Sequence, residues 1–316
     1  MRWRWLGNTK LLLLLILLAF LGILASLQSG LGCLGDGQAW SQKPSFRLLV
    51  MVLTEPGAIT QRSLIRRTYL SSLPKGYGSV FPIGTKGLDA KGIRQLEQES
   101  AAHGDLLLMS KVQEAYDQLS AKVLATIKAL HEGLAVEFLL KLDGDSFARL
   151  DEEFVAALEA VQDPRLYWGF LDGRANPKKG GKWVEEGWHL CDRYLPYAKG
   201  GGYVLGSKLL AYIANNADML QLYANEDVAV GAWLAGLKVK YVHDPRFDTE
   251  YKSRGCSNRY LVTHKQSPAE IEAKWKLLQD LGILCRKEVR LRQSYVYNWS
   301  VPPTQCCQRT DDPDVP

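Results

Sequence analysis

Sulfur is scarce in this chain, and imidazole is scarcer. Its 316 residues hold six cysteines, four methionines and five histidines. No C-x-x-C pair occurs, which leaves no local sequence basis for a zinc site or a dithiol redox site. Charge of one sign is not in large excess: 39 basic against 34 acidic residues give +5, partly from the N-terminus. With no RNA- or DNA-binding signature, that balance does not point to nucleic acid as a partner. No internal repeat is visible, and apolar runs of near-membrane length are limited to one. What the chain has in quantity is core material, since 47% of its residues are hydrophobic. Beyond the N-terminal segment about 270 residues remain, enough for one large domain or two intimate ones.

The long apolar run is Leu11 to Leu27, preceded by Arg2, Arg4 and Lys10. As a helix it would reach about 25 Å, slightly short for an average bilayer and tolerable in a thin one. Basic residues before it and none just after it keep residues 1–10 cytoplasmic and send the rest to the lumen. The alternative is a cleaved signal peptide. The run exceeds an ordinary signal core, and Ala25-Ser26-Leu27 is a poor cleavage site, so the expectation is an uncleaved anchor over 11–27. Residues 28–45 read as a stem, and 46–316 as a lumenal domain. Cys33, Cys191, Cys256, Cys285, Cys306 and Cys307 suit such a compartment, with their pairing left open. Asn298-Trp299-Ser300 is a sequon usable only there.

Phe46 to Leu53 reads as a buried strand, ended by Thr54-Glu55-Pro56-Gly57. Thr60 is placed to cap a helix carrying Arg62 and Arg66. Strands are expected at 78–83 and 105–109, with a helix at 89–103 between them. Tyr116, Leu119, Val123, Ile127 and Leu130 make an apolar stripe that predicts a helix over 113–131. The strand Val136 to Leu142 then stops at Asp143-Gly144-Asp145. Alternating strands and helices in this order mean α/β architecture with a mainly parallel sheet flanked by helices. Two acids at the carboxyl end of a buried strand are placed to hold a hard divalent cation and a phosphate-bearing ligand. The bland reading is an acidic turn after a core strand.

Past Asp145 the expected elements are a helix at 151–161, a strand at 167–170 and a polar loop from Gly173 to Gly187. Gly200-Gly201-Gly202 precedes a β-rich run and allows close backbone approach. Further helices are expected at 207–217, from Glu226 and from Pro268, with a strand at 240–242.

Taken in order, these motifs resemble the inverting β-1,3-glycosyltransferase family. The residues that carry the likeness begin with Arg62-x-x-Ile65-Arg66-x-Thr68-Tyr69, Gly104-Asp105-Leu106-Leu107 and Tyr116-x-x-Leu119-x-x-Lys122. Lys141-x-Asp143-Gly144-Asp145-x-Phe147, Tyr194-Leu195-Pro196-Tyr197 and Gly200-Gly201-Gly202-Tyr203-Val204 follow. Glu226-Asp227-Val228 and Val262-Thr263-His264 complete the series. Later stretches, among them His243-Asp244-Pro245-Arg246-Phe247 and Gln305-Cys306-Cys307-Gln308-Arg309, resemble the branch that builds the proteoglycan linker region.

The resemblance implies a GT-A fold, UDP-galactose as donor, Mn²⁺ as cofactor and galactosyl-xylose as acceptor, in a single-pass type II protein of the Golgi membrane. It makes Asp145 and His264 metal ligands, with Asp143 at the metal-bound water or the ribose. It makes Asp227 the general base. Arg62, Arg66, Lys122, Gly201 and Gly202 become donor contacts, and Glu226 an acceptor contact or a positioner of Asp227. Apart from the resemblance, Trp183 in the Gly173 to Gly187 loop is expected to contact the acceptor, since sugars stack on aromatic faces. Transfer of N-acetylglucosamine is an alternative. A catalytically weak, membrane-tethered glycan-binding or complex-forming partner is another, favoured only by Gly144 where the family usually carries an acid.

Overall fold

Three stretches of this chain are buried on both faces. In β1 (Ser45–Leu53) every residue from Leu48 on is inaccessible or nearly so. The same holds for the second half of β4 (Ala135–Asp143) and for all of β6 (Leu166–Asp172). Continuous apolar runs of this kind belong at the centre of a sheet covered on both sides. The computed structural model, which describes residues 43–316, places them there. The expected tail, span and most of the stem, with Cys33, lie outside the described residues. Among the described residues no helix is long and apolar enough to cross a membrane.

The remaining elements follow in alternation. α1 (Ile59–Arg67), β2 (Tyr77–Lys86), α2 (Ala90–His103), β3 (Leu106–Gln113) and α3 (Leu119–Gly133) lead into β4. After it come β5 (Phe147–Ala148), α4 (Glu152–Val161), β6, β7 (Tyr197–Gly206), α5 (Ser207–Asn215) and α6 (Glu226–Leu234). The last part holds β8 (Lys240–His243), β9 (Phe247–Asp248), β10 (Gly255–Cys256), β11 (Val262–Thr263), α7 (Pro268–Leu281) and β12 (Val289–Arg290).

The main sheet has seven strands in the order β3-β2-β1-β4-β7-β6-β8. β7 pairs antiparallel with both neighbours, and the other pairs are parallel. The sheet is therefore mixed but mainly parallel, as the alternation implies. Its winding reverses between β1 and β4, and there Leu53 pairs in register with Asp143. Ligands of open α/β sheets sit outside the strand ends at such a reversal.

A second, three-stranded sheet, β5-β11-β9, clips the far end of the chain to this point. β11 runs antiparallel to β5, pairing Thr263 with Phe147 and Val262 with Ala148. Arg254 is fully buried and holds β9 through the Asp248 carboxylate and the Phe247 carbonyl. Ser267 and Glu270 close a capping box at the start of α7, with Pro268 in its first turn, which stops the chain from drifting just past His264. Among the described residues Cys256 is bonded to Cys285 and Cys306 to Cys307, while Cys191 is exposed and in no disulfide.

Two expected helix starts are corrected. Thr60 does not cap α1, which begins at Ile59 after Ala58 with no side-chain cap. The helix expected from Gln113 begins at Leu119, because β3 runs on to pair Gln113 with Lys86. Tyr116 falls in a single 3₁₀ turn and is 41% exposed. The apolar stripe is real only from Leu119 onward.

Candidate active site

The site begins where β4 stops. Ser146 turns the chain, its N–H donating to the Asp143 carbonyl and its hydroxyl to the Gly201 carbonyl at 2.6 Å. Because β11 is paired to β5, the next residue along, His264, arrives beside the two acids. Its Nε2 lies 3.0 Å from Asp145 Oδ1 and 3.3 Å from Asp143 Oδ2. Further backbone bonds hold it there, His264 N to the Asp248 carbonyl and Gln266 N to the Asp145 carbonyl. One ligand atom from each of the three side chains lies within 4.8 Å of the others.

The donor set fits a divalent cation. Nδ1 of His264 is buried without a hydrogen-bond partner, and Nε2 faces only the two carboxylates. A buried polar atom normally has one. Two carboxylates and an imidazole converging on one point are the ligand types that Mn²⁺-like ions accept.

Behind this cluster stands Lys141, only 1% exposed at its side chain. Its ammonium donates to Asp143 Oδ1 at 2.8 Å, to the Gly200 carbonyl at 2.6 Å and to Glu226 Oε2 at 2.8 Å. All three of its hydrogens are thus used. Burial alone would raise the Asp143 carboxyl, but the Lys141 ammonium and His264 hold it well below the usual range. Burial alone would lower Lys141, but Asp143 and Glu226 raise it.

On the other side of Lys141, α6 opens with Glu226 and Asp227. Glu226 points inward, accepting from the Tyr203 hydroxyl as well as from Lys141. Burial pushes its carboxyl up to about 7, against the pull of Lys141 and with Asp227 and Asp143 adding to the rise. Asp227 borders the open cleft. Its Oδ2 accepts from Gly200 N and its Oδ1 from Val228 N, each at 2.9 Å. Burial raises its carboxyl too, although Lys199, Lys141 and those two N–H groups pull the other way.

The cleft encloses about 850 Å³ and takes in Asp143, Asp145, His264 and Asp227. Trp183 borders it as expected, standing edge-on to Tyr251 with ring centroids 5.0 Å apart. The Trp183 loop is tied to the start of α6, since Asn225 donates to the Trp183 carbonyl and to Glu185. Trp188, by contrast, is a core residue packed on Tyr194 and Tyr223. Asn298 sits in an exposed turn, its Oδ1 accepting from Ser300 N and Oγ.

Several expected contacts are already engaged within the protein. Arg62 is completely buried, in a two-pronged ion pair with Glu99 and bonded to the Glu55 and Pro56 carbonyls. Arg66 is taken by Asp105 and Glu99. Neither borders the cleft. They brace the loop after β1 instead of meeting the donor. Lys122 does border the cleft, but its ammonium is committed to Glu114 and the Thr54 carbonyl. Glu226 borders the cleft as well, but it is buried and its carboxylate is engaged by Lys141 and the Tyr203 hydroxyl. The close approach expected at the glycines is made by the protein itself. A Cβ on Gly201 would fall 2.5 Å from His264 Cγ, and one on Gly202 2.9 Å from Leu142 and Val262. Gly201 still borders the cleft, and Gly202 does not.

Sequence reading overlooked three groups. Lys199 lies in the cleft wall, paired with Asp172 at 3.1 Å and donating to the Tyr197 hydroxyl. Tyr203 fixes Glu226, and Gln61 overlies Gly144. Apart from Tyr197, their partners lie far off in sequence, so no local pattern marks them.

A family model described as galactosyltransferase matches residues 60–245. The chain belongs to the galactosyltransferase family. It is a hexosyltransferase, and the match takes in the two acids after β4 and the Glu226-Asp227 pair but stops before His264. A mouse relative, beta-1,3-galactosyltransferase 6, is 48% identical over 291 residues, covering 88% of this chain and 90% of that one. An Arabidopsis thaliana beta-1,3-galactosyltransferase is 28% identical over 76% of this chain and 39% of its own length. Among solved structures, galactosyltransferase LgtC with donor and acceptor sugar analogs covers 70% of this chain and 88% of that one. Its TM-score of 0.38 at 13% identity is too loose to argue from.

Proposed function

We propose that this galactosyltransferase-family chain is an inverting β-1,3-galactosyltransferase with a GT-A arrangement. Its donor is UDP-galactose, and its acceptor is the galactosyl-xylose of the proteoglycan linker region. In this reading residues 11–27 tether it to the Golgi membrane with the catalytic domain in the lumen, and Asn298 is glycosylated there. The observation that carries the proposal is one cleft holding both a cation-type cluster and a separate ionisable acid, with Lys141 locked between them.

Asp143, Asp145 and His264 would hold Mn²⁺. When bound, the ion neutralises the donor diphosphate as its charge grows. The chain's own residues do the rest. Asp227 takes the proton from the acceptor 3-hydroxyl as that oxygen attacks the anomeric carbon. The bond from that carbon to the diphosphate oxygen breaks, its electron pair leaves with UDP, and the configuration inverts in one displacement. A single base suffices, with no covalent intermediate. Raising Asp227 makes it a stronger base than an exposed carboxylate, while two N–H bonds fix its orientation. Lys141 keeps Asp143 ionised and holds Glu226 out of the way. Trp183 and Tyr251 offer aromatic faces against which the acceptor sugar packs.

The test is to incubate the full chain in detergent with UDP-galactose, MnCl₂ and a galactosyl-xyloside. The expected product is one galactose heavier, with a β-1,3 linkage by NMR, and is lost on chelation. Absence of product while UDP still binds would overturn the reading.

A further inference from the structure

Gln61 lies in the first turn of α1 and borders the cleft. Its Nε2 donates to the Gly144 carbonyl at 2.9 Å. A Cβ on Gly144 would fall 3.0 Å from both amide atoms of Gln61 and from the Leu53 carbonyl. The carboxamide therefore occupies the space that a side chain at 144 would need. Gly144 and Gln61 are two halves of one contact.

The order of the strands gives that contact a place along the donor. β4 ends at the cation-type cluster. On one side of it lies β7, which carries Gly200 and through it Asp227. On the other lies β1, whose last carbonyl, Leu53 O, shares with Gln61 the space over Gly144. Bond making belongs on the Asp227 side and the diphosphate at the cluster. The part of the donor that remains, the nucleoside, then extends toward β1. Arg62 and Arg66 are locked in ion pairs beneath that loop; the polar side chains that border the cleft there are Thr54, Glu55 and Gln61, and of these only Gln61 carries a planar amide.

We infer that Gln61 is a binding residue for the nucleobase of a nucleotide-sugar donor, held in register by the bare backbone of Gly144. The inference rests on the UDP-sugar reading above. The Gly144 carbonyl must face an N–H, which fixes the orientation of the amide. One N–H and the Oε1 lone pairs stay free. That acceptor-and-donor edge complements an imide, in which an N–H stands beside a carbonyl, as in uracil. It mismatches cytosine, whose ring nitrogen is an acceptor beside an amino group.

The experiment is titration calorimetry of the full chain in detergent with UDP and with CDP, each with MnCl₂, and with MnCl₂ alone. Gln61→Met keeps the length and removes the amide. It should weaken UDP binding about tenfold and erase the preference for UDP over CDP, with Mn²⁺ affinity kept. Gly144→Ala should weaken UDP by displacing the amide. Gln61→Met with Gly144→Ala should then be no worse than the more damaging single change, as expected for one contact. UDP binding by Gln61→Met equal to wild type, or additive losses in the double variant, would overturn the inference while leaving the donor reading standing. A wild-type protein that binds no UDP would overturn both.

Discussion

Lys141 divides two pairs of acids that differ little in composition and greatly in state. Asp143 and Asp145 meet His264 and a lysine each, and both carboxyls are held below their usual range. Glu226, buried, and Asp227, partly buried at the cleft, open a helix, and both carboxyls are raised. The first pair is fixed in the ionised form, ready for a cation. The second is more basic, as proton transfer requires. The lesson is that the neighbours buried with a carboxylate set its chemistry.

The comparison can be broken most severely at Asp227. Asp227→Asn keeps an acceptor for the Gly200 N–H and removes the base. Turnover should fall by roughly 10²–10⁴-fold, with UDP affinity unchanged by calorimetry. Retained turnover would remove Asp227 as base.

Lys141→Met attacks both pairs at once. It leaves Asp143 and Glu226 partly buried with no cation between them, and breaking such a network costs about 3–5 kcal/mol. The urea midpoint should drop accordingly. An unchanged midpoint would mean that the two halves are independent.

The smallest effect is read in the pH profile. A base must be ionised, so kcat/KM should fall as pH falls through the raised Asp227 value, with an inflection above the ordinary aspartate value of about 3.9. Stability moves the other way. A carboxyl raised on folding favours the folded state at low pH and loses that contribution as pH rises through its folded value. An inflection below the ordinary value would show that burial does not govern Asp227.

Much of this was legible in the chain. The β4 run ending in Asp143-Gly144-Asp145 announced a strand end with two acids, because burial and sudden polarity are local properties. His264 and Asp227 needed the ordered motif series, since nothing near them in sequence shows what they face. Arg62 and Arg66 misled because an arginine near a strand end looks the same whether it meets a phosphate or a buried Glu99. The partner that decides is 37 residues away from Arg62. The helix expected from Gln113 was overextended because Tyr116 happens to continue the stripe. The pairing of Gln113 with Lys86 decides the matter, and that pairing is tertiary.

The short pairing of β5 with β11 has a consequence for how the molecule is completed. Lys265, next to His264, and its partner Asp145 are 120 residues apart in sequence. Neither half of the cluster can gather a cation alone in an unfolded chain, where the entropy of closing so long a loop opposes it. Whatever binds there binds only the finished fold and stabilises it by mass action. The four residues of that clip thereby make the site a report on whether the whole domain has closed.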